Sequence, residues 1–170
     1  MYNNDTDIRV MLKSNYKNSI RPTHEFRNDE YERFNLIPSM LKGVCTSYQL
    51  DGFELHLGLM YHVHHFFLTI TVYDDENYLP TNCKDLPIDI VKNIASRAVQ
   101  FIDDLNDNNM TFISFEHDDP NNLIQIFDGK IYGLIYDIKS ESPIDPPKLV
   151  KHELKIEPIS YDDIITAFRK

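Results

Sequence analysis

An Asp-Gly step between two apolar runs is the feature that most restricts how this chain can fold. Asp51 and Gly52 separate the apolar runs 44–50 and 53–59. This pattern predicts a β-hairpin with a type I′ turn, because that turn needs positive φ at both central residues. The next run, residues 65–73, is rich in β-branched and aromatic side chains and predicts a third strand. The centre of the chain is therefore expected to form an antiparallel meander.

A long amphipathic helix is predicted to follow this meander, at about residues 87–105. Pro87 suits the first turn of a helix, and the run 106–109 is a stop signal rich in Asn and Asp. Apolar residues recur at helical spacing and form one stripe, which should pack across a sheet. The stripe consists of Ile90, Val91, Ile94, Ala98, Phe101, Ile102 and Leu105.

The remaining elements are predicted from shorter patterns. A strand is expected around residues 8–12 and a helix over 29–42. Strands are also expected at 110–116 and 149–156, and a second Asp-Gly hairpin is expected between 123–127 and 130–136. Ser160 should cap a C-terminal helix over 161–168. The predicted fold class is α+β, with antiparallel hairpins, the long helix packed on the sheet and a short C-terminal helix. Residues 1–27 are expected to form a loosely ordered arm, and residues 28–170 a single domain.

Negative charge is concentrated in the middle of the chain. The formal net charge is −10. Residues 44–142 hold sixteen acids against five Lys or Arg, whereas residues 1–43 carry a net charge of +1 and residues 143–170 are balanced. A surplus this dense repels nucleic acid and anionic membranes and attracts a basic partner. We therefore expect a basic protein partner, no direct nucleic-acid binding and no membrane binding.

Three acidic clusters are the candidate partner-binding residues, and each lies at the end of a predicted element. If several of them share one side of the protein, their field would steer a cationic partner toward it. Nearby aromatic residues, among them Tyr73 and Tyr78, could serve as anchors. The alternative is that the acidity only aids solubility. The clusters comprise Asp74, Asp75 and Glu76; Asp103, Asp104 and Asp107; and Glu116, Asp118 and Asp119.

Composition favours a soluble protein of the cytoplasm. No N-terminal signal sequence and no run of about 20 apolar residues is present. The two cysteines, Cys45 and Cys83, do not make a disulfide framework and are expected to be reduced, although a single bridge stays open. The frequency of Asn, Asp, Ile, Lys and Tyr suggests an AT-rich genome such as that of a bacterium or a phage.

Four histidines lie close together in the sequence, at His56, His62, His64 and His65. On one continuous extended ribbon, the first three would share a face and His65 would lie on the other. Two histidines at i and i+2 can share a metal if a third ligand comes from elsewhere. The alternatives are an incidental set of histidines on a solvated strand and a pH-responsive surface. We predict no cofactor from this cluster.

A weak nuclease-like pattern is also present. Asp137 ends a predicted strand, and Glu153 and Lys155 form an acid-x-Lys step on a later one. This order resembles the metal-dependent nucleases of the PD-(D/E)xK type, in which carboxylates bind Mg²⁺ and the lysine helps to activate water. The sequence contains no GxGxxG, P-loop or GxSxG motif. We therefore assign no catalytic residue and lean against an enzyme.

In kind, a small acidic α+β protein without catalytic motifs resembles the immunity proteins that neutralise bacterial nuclease toxins, or the phage proteins that block host defence nucleases. The resemblance is one of class and implies a stoichiometric inhibitor that covers the basic active site of a toxin. The alternative function is a metal-dependent hydrolase or nuclease that uses Asp137, Glu153 and Lys155. A third is a structural subunit that dimerises through the apolar strand face at residues 66–72.

Overall fold

An antiparallel four-stranded sheet, a 20-residue helix and a short C-terminal helix give the chain the predicted α+β fold. The structure is a computed structural model that describes residues 6–16, 24–25, 45–62, 65–108, 110–115, 124–127, 132–134 and 149–169. Its elements are β1 (Asp7–Leu12), β2 (His24–Glu25), β3 (Cys45–Leu50), β4 (Phe53–His62), β5 (His65–Asp74), a 3-10 turn (Cys83–Asp85), α1 (Ile88–Asp107), β6 (Thr111–Phe115), β7 (Ile124–Phe127), β8 (Tyr132–Leu134), β9 (Leu149–Glu153) and α2 (Tyr161–Arg169).

The chain divides into two compact units that are assembled from separate segments. The first unit contains Met1–Lys13, Cys45–Leu105 and Ile156–Lys170, and the second contains Ser14–Val44 and Asn106–Lys155. The strand predicted around residues 8–12 is present as β1 and belongs to the sheet of the first unit. The arm over 1–27 and the single domain over 28–170 stay predictions.

The sheet of the first unit has the strand order β1-β5-β4-β3, and all its neighbours are antiparallel. Side chains alternate between its two faces, as the period of a strand requires. One face supplies the core, through Ile8, Leu12, Leu55, Leu57, Leu59, Phe66, Leu68, Ile70 and Val72. Phe66, Leu68, Ile70 and Val72 of β5 are buried within a single chain, so these side chains do not form a free surface for the predicted dimerisation.

Helix α1 covers this buried face of the sheet. Six of the seven residues of the predicted apolar stripe are buried, among them Ile94 and Ile102, whereas Ile90 is half-buried. The guanidinium of Arg97 lies over the ring of Tyr48, 4.5 Å from the ring centroid. Tyr48 stands opposite Leu55, on the core face, so this contact helps to fix the helix against β3.

The first Asp-Gly hairpin is present, but its turn differs from the prediction. Leu50 pairs with Phe53, so Asp51 and Gly52 form a two-residue loop. Gly52 has a φ of 83°, whereas Asp51 is not among the described residues with positive φ. A type I′ turn requires positive φ at both positions, so the predicted turn type is wrong. Of the two loop positions, only Gly52 has the positive φ that favours glycine.

The second unit contains a five-stranded sheet in the order β2-β9-β6-β7-β8. The second hairpin is present as β7 and β8, with Phe127 paired to Tyr132. A two-residue Asp128-Gly129 loop would pair Phe127 with Lys130, so the described register differs from the predicted one. Residues 128–131 lie outside the described residues. The amide of Leu154 donates to the carbonyl of Met110 at 2.8 Å, and both side chains are fully buried.

The C-terminal helix begins as the sequence predicts. Ser160 Oγ accepts a hydrogen bond from the amide of Asp163 at 3.0 Å, which is the geometry of an N-cap. Ile164 and Phe168 form the buried side of α2. The helix predicted over 29–42 lies outside the described residues.

Candidate functional site

The chain turns back tightly after β5, over residues 74–81. This segment, which we call the return, forms the most distinctive surface of the first unit. The amide of Asp74 donates to the carbonyl of Leu79 and that of Tyr78 to the carbonyl of Asp74, both at 2.8 Å. The side chain of Asp74 accepts from the amide of Glu76 at 2.7 Å. The amide of Thr81 then donates to the Val72 carbonyl at 2.8 Å. These bonds fold the segment back along the end of β5.

Tyr78 occupies an unusual backbone conformation in this return. Its φ is 54°, and among the described residues it is the one non-glycine residue with a positive φ. This left-handed conformation costs a residue with a Cβ about 1–2 kcal/mol. The surrounding hydrogen bonds hold it there, and strain of this kind tends to persist at functional positions.

The strained residue places its ring on the outer face of the sheet. The rings of Tyr78 and Tyr73 are stacked, with centroids 4.8 Å apart and planes 8° apart. The ring of His56 packs against both tyrosine rings in T-shaped contacts, with its centroid 4.9 Å from that of Tyr73 and 6.3 Å from that of Tyr78. Its Nε2 lies 3.3 Å from the Tyr78 hydroxyl. We call Glu54, His56, Tyr73 and Tyr78 the tyrosine cluster.

Glu54 completes this cluster through the register of the hairpin. It stands opposite Tyr73 on β4, and its Oε2 lies 3.6 Å from Nε2 of His56. Desolvation, together with the negative charge and the hydrogen bond of Glu54, raises the pKa of Tyr78 above its ordinary value of 10.0. The phenol therefore keeps its proton to a higher pH than an unperturbed tyrosine does.

The same end of the sheet gathers acidic side chains. The amide of Asp75 donates to the carbonyl of Gly52 at 3.2 Å, so the return and the β3–β4 turn meet. This contact brings Asp51 beside the cluster predicted from the sequence. We call Asp51, Asp74, Asp75 and Glu76 the acidic end. The sequence contains no Lys or Arg from residue 45 to residue 83. Strands β3, β4 and β5 therefore supply no Lys or Arg to neutralise the acidic end.

The other predicted acidic clusters lie elsewhere or outside the described part of the chain. Asp103 is half-buried on α1, and Asp104 is exposed and accepts from Nε2 of Gln100 at 2.8 Å. Asp107 is exposed and belongs to the second unit. Glu116, Asp118 and Asp119 lie outside the described residues. Of the nine predicted positions, the structure therefore groups Asp74, Asp75 and Glu76.

Sequence reasoning missed two members of this surface. Asp51 was interpreted only as a turn former, and Glu54 was not singled out. Two signals could have found them: the absence of Lys and Arg through residues 45–83, and the alternation of Glu54 and His56 with the buried Leu55 and Leu57.

The histidine cluster does not form a metal site among the described residues. No group of three or more His, Cys, Asp or Glu in that part of the chain could hold a metal ion. His62 at the end of β4 pairs with His65 at the start of β5, in an antiparallel register. His56 and His65 therefore share the outer face, contrary to the ribbon prediction, but six residues of strand separate their positions, or about 20 Å. His64 lies outside the described residues.

The nuclease-like residues are only partly described. Glu153 is exposed at the end of β9, and Asp137 lies outside the described residues. Nζ of Lys155 donates to the carbonyl of Asn106 at 3.2 Å. The amide of Lys155 donates to Oδ1 of Asn15 at 2.8 Å. The lysine thus has a structural role in the second unit, and its partnership with Asp137 stays a prediction.

Two further features bear on chemistry. A groove of about 440 Å³ lies between β1 and α2, and its charged lining consists of Asp7, Arg9 and Asp163. Among the described residues, neither a histidine nor a cysteine lines this groove. Cys45 is exposed and Cys83 is buried, and no disulfide joins them.

No protein-family model, curated protein or solved structure matches this chain. Neither α1 nor α2, the helices of the described part of the chain, has the length and apolar character needed to cross a membrane.

Proposed function

We propose that this protein is an acidic stoichiometric inhibitor of the cytoplasm that binds a basic protein through the acidic end. The partner that this chemistry fits best is a bacterial nuclease-type toxin, and the protein would then act as its immunity protein. The grouping of Asp51, Asp74, Asp75 and Glu76 by the contact between Asp75 and Gly52 carries this proposal.

The surface combines charge with exposed apolar area, which is typical of protein interfaces. Tyr78 is 55% exposed and Leu79 is 61% exposed, and both lie in the same return as the acids. Tyrosine is enriched at interface hot spots, where it contributes contact area and a hydrogen-bonding group. The acids would form the rim that steers a cationic partner and raises its association rate.

The mode of inhibition follows from what a nuclease binds. A basic active site contacts phosphates through Lys and Arg, and carboxylates can occupy the same positions. A protein that presents several carboxylates from one rigid hairpin end can cover such a site without catalysis. Asp103, Asp104 and Asp107 on α1, together with Glu116, Asp118 and Asp119, stay proposed partner-binding residues.

Affinity purification tests this function directly. The tagged full-length protein is recovered from its native host at low and then moderate salt, and co-eluting proteins are identified by mass spectrometry. Recovery of one basic protein near a one-to-one ratio, weakened by salt, would support the inhibitor and name its target. Recovery of the protein alone at both salt concentrations would contradict it.

A further inference from the structure

The outer face of the Tyr78 ring is open to a ligand. One face of the ring is covered by Tyr73, at a centroid distance of 4.8 Å, and His56 approaches the edge. The residue is nevertheless 55% exposed. An aromatic ring with one stacked face and one free face is a platform on which a flat group can stack.

The charge around this platform selects a cation. Glu54 stands opposite Tyr73, and its carboxylate lies 3.6 Å from Nε2 of His56, which is itself 3.3 Å from the Tyr78 hydroxyl. Asp74, Asp75 and Glu76 lie in the same return as Tyr78. The electron-rich face of a tyrosine attracts cations, and adjacent carboxylates strengthen that attraction.

The shape of the site favours arginine over lysine. A guanidinium is planar, so it can stack on the Tyr78 ring while its N–H groups donate to a carboxylate beside the ring. An ammonium is a compact, strongly hydrated charge and gains less from stacking. The protein already contains one such contact, in which Arg97 lies 4.5 Å from the ring centroid of Tyr48.

We propose that the tyrosine cluster is a recognition site for an arginine side chain of the basic partner. The guanidinium stacks on the free face of Tyr78 and donates to Glu54 and the adjoining acidic end. This assignment rests on the proposed function, because the arginine belongs to the protein that the acidic end attracts.

Two synthetic peptides of equal charge test the site on the full chain. A fluorescent nonaarginine peptide and a nonalysine peptide are titrated with the protein at low salt, and dissociation constants are obtained from anisotropy. The arginine peptide should bind roughly fivefold more tightly, a preference in the range expected of one cation–π contact. Tyr78→Ala should bring the two affinities to within about twofold, because the stacking surface is lost.

Further variants separate the stacking site from the fold. Tyr78→Phe keeps the ring and should keep the arginine preference, whereas Glu54→Gln keeps the ring but should reduce the preference. Tyr161→Ala removes another exposed tyrosine of the same unit and should change nothing. Each variant is compared by thermal unfolding, so that loss of the fold is recognised.

The outcomes distinguish the site from the proposed function. Equal affinity of the wild type for both peptides, no binding of either, or a preference that survives Tyr78→Ala would overturn the arginine site. If substitution of Asp74, Asp75 and Glu76 by lysine still weakened binding of a captured basic partner, the proposed inhibitor would stand without the arginine site. If the protein preferred the arginine peptide but no basic partner were recovered, the arginine site would stand and the proposed inhibitor function would be contradicted.

Discussion

The ring of Tyr78 lies flat against the ring of Tyr73, with centroids 4.8 Å apart and planes 8° apart. The first residue is held in a left-handed conformation after the strand, and the second is part of β5. This pair joins the return to the outer face of the sheet. It also sets an exposed aromatic surface beside the acidic end.

Tyr78 should ionise at higher pH than an unperturbed tyrosine, because desolvation and Glu54 favour its neutral form. A raised pKa means that the folded state holds this proton more tightly than the unfolded state does. The associated stability is therefore fully present below about pH 10 and is lost as the pH rises through the raised value.

Near-ultraviolet absorbance of tyrosinate measures this titration. Subtraction of the Tyr78→Phe curve from that of the wild type isolates the Tyr78 component among the ten tyrosines. Glu54→Gln should move that component toward 10.0, since the negative charge of Glu54 opposes ionisation of the phenol. A Tyr78 component that is unchanged in Glu54→Gln would show that the carboxylate does not act on the phenol.

Substitutions at Tyr78 should separate backbone strain from stacking. Both Tyr78→Ala and Tyr78→Gly lose the stacked pair, which is worth about 0.5–1.5 kcal/mol beyond its buried area. Glycine alone relieves the positive φ. We therefore expect Tyr78→Gly to be more stable than Tyr78→Ala by about 1 kcal/mol in urea unfolding. Alanine equal to or more stable than glycine would contradict the conformation of the return.

Gly52 should be the position of the first hairpin that requires glycine. Its φ is 83°, yet an added Cβ would meet no atom within 4 Å. Gly52→Ala should therefore destabilise the protein by about 1–2 kcal/mol through backbone strain alone. Gly52→Asn should cost less, because asparagine tolerates this region. Urea unfolding of both variants checks the order, and equal losses would argue against the turn.

The packing of α1 on the sheet should appear in the unfolding energy. Ile94 is fully buried on the helix, so Ile94→Ala should cost about 2–5 kcal/mol through lost burial and a cavity. Met11→Ala serves as the control, because Met11 is 59% exposed and its loss should stay within about 0.5 kcal/mol. Similar costs for the two variants would mean that the helix does not cover this core.

Local patterns predicted much of the first unit. The Asp-Gly step identified the hairpin of β3 and β4, and β-branched and aromatic content identified β5. Helical spacing identified α1, and Ser160 identified the start of α2. Each of these signals depends on near neighbours in sequence. The turn type at Asp51 could not be obtained this way. The Asp-Gly signal is shared by several turns, and the backbone angle of Asp51 decides between them.

The candidate site was less predictable because it depends on contacts distant in sequence. The hairpin register sets Glu54 opposite Tyr73, and the bond between Asp75 and Gly52 unites two turns. Nothing local in the sequence marks Tyr78 as left-handed, since tyrosine seldom adopts that conformation. The surrounding return imposes it.

Charge reversal at the acidic end, with association kinetics measured against the basic partner recovered by purification, tests the central claim most directly. The variant Asp74→Lys, Asp75→Lys, Glu76→Lys is compared with a control that reverses the exposed acids Asp85, Glu153 and Glu157 and changes the net charge equally. We expect the first variant to slow association by at least about tenfold and to flatten its salt dependence, with the control close to the wild type. Equal slowing by both variants, or by neither, would contradict binding through the acidic end.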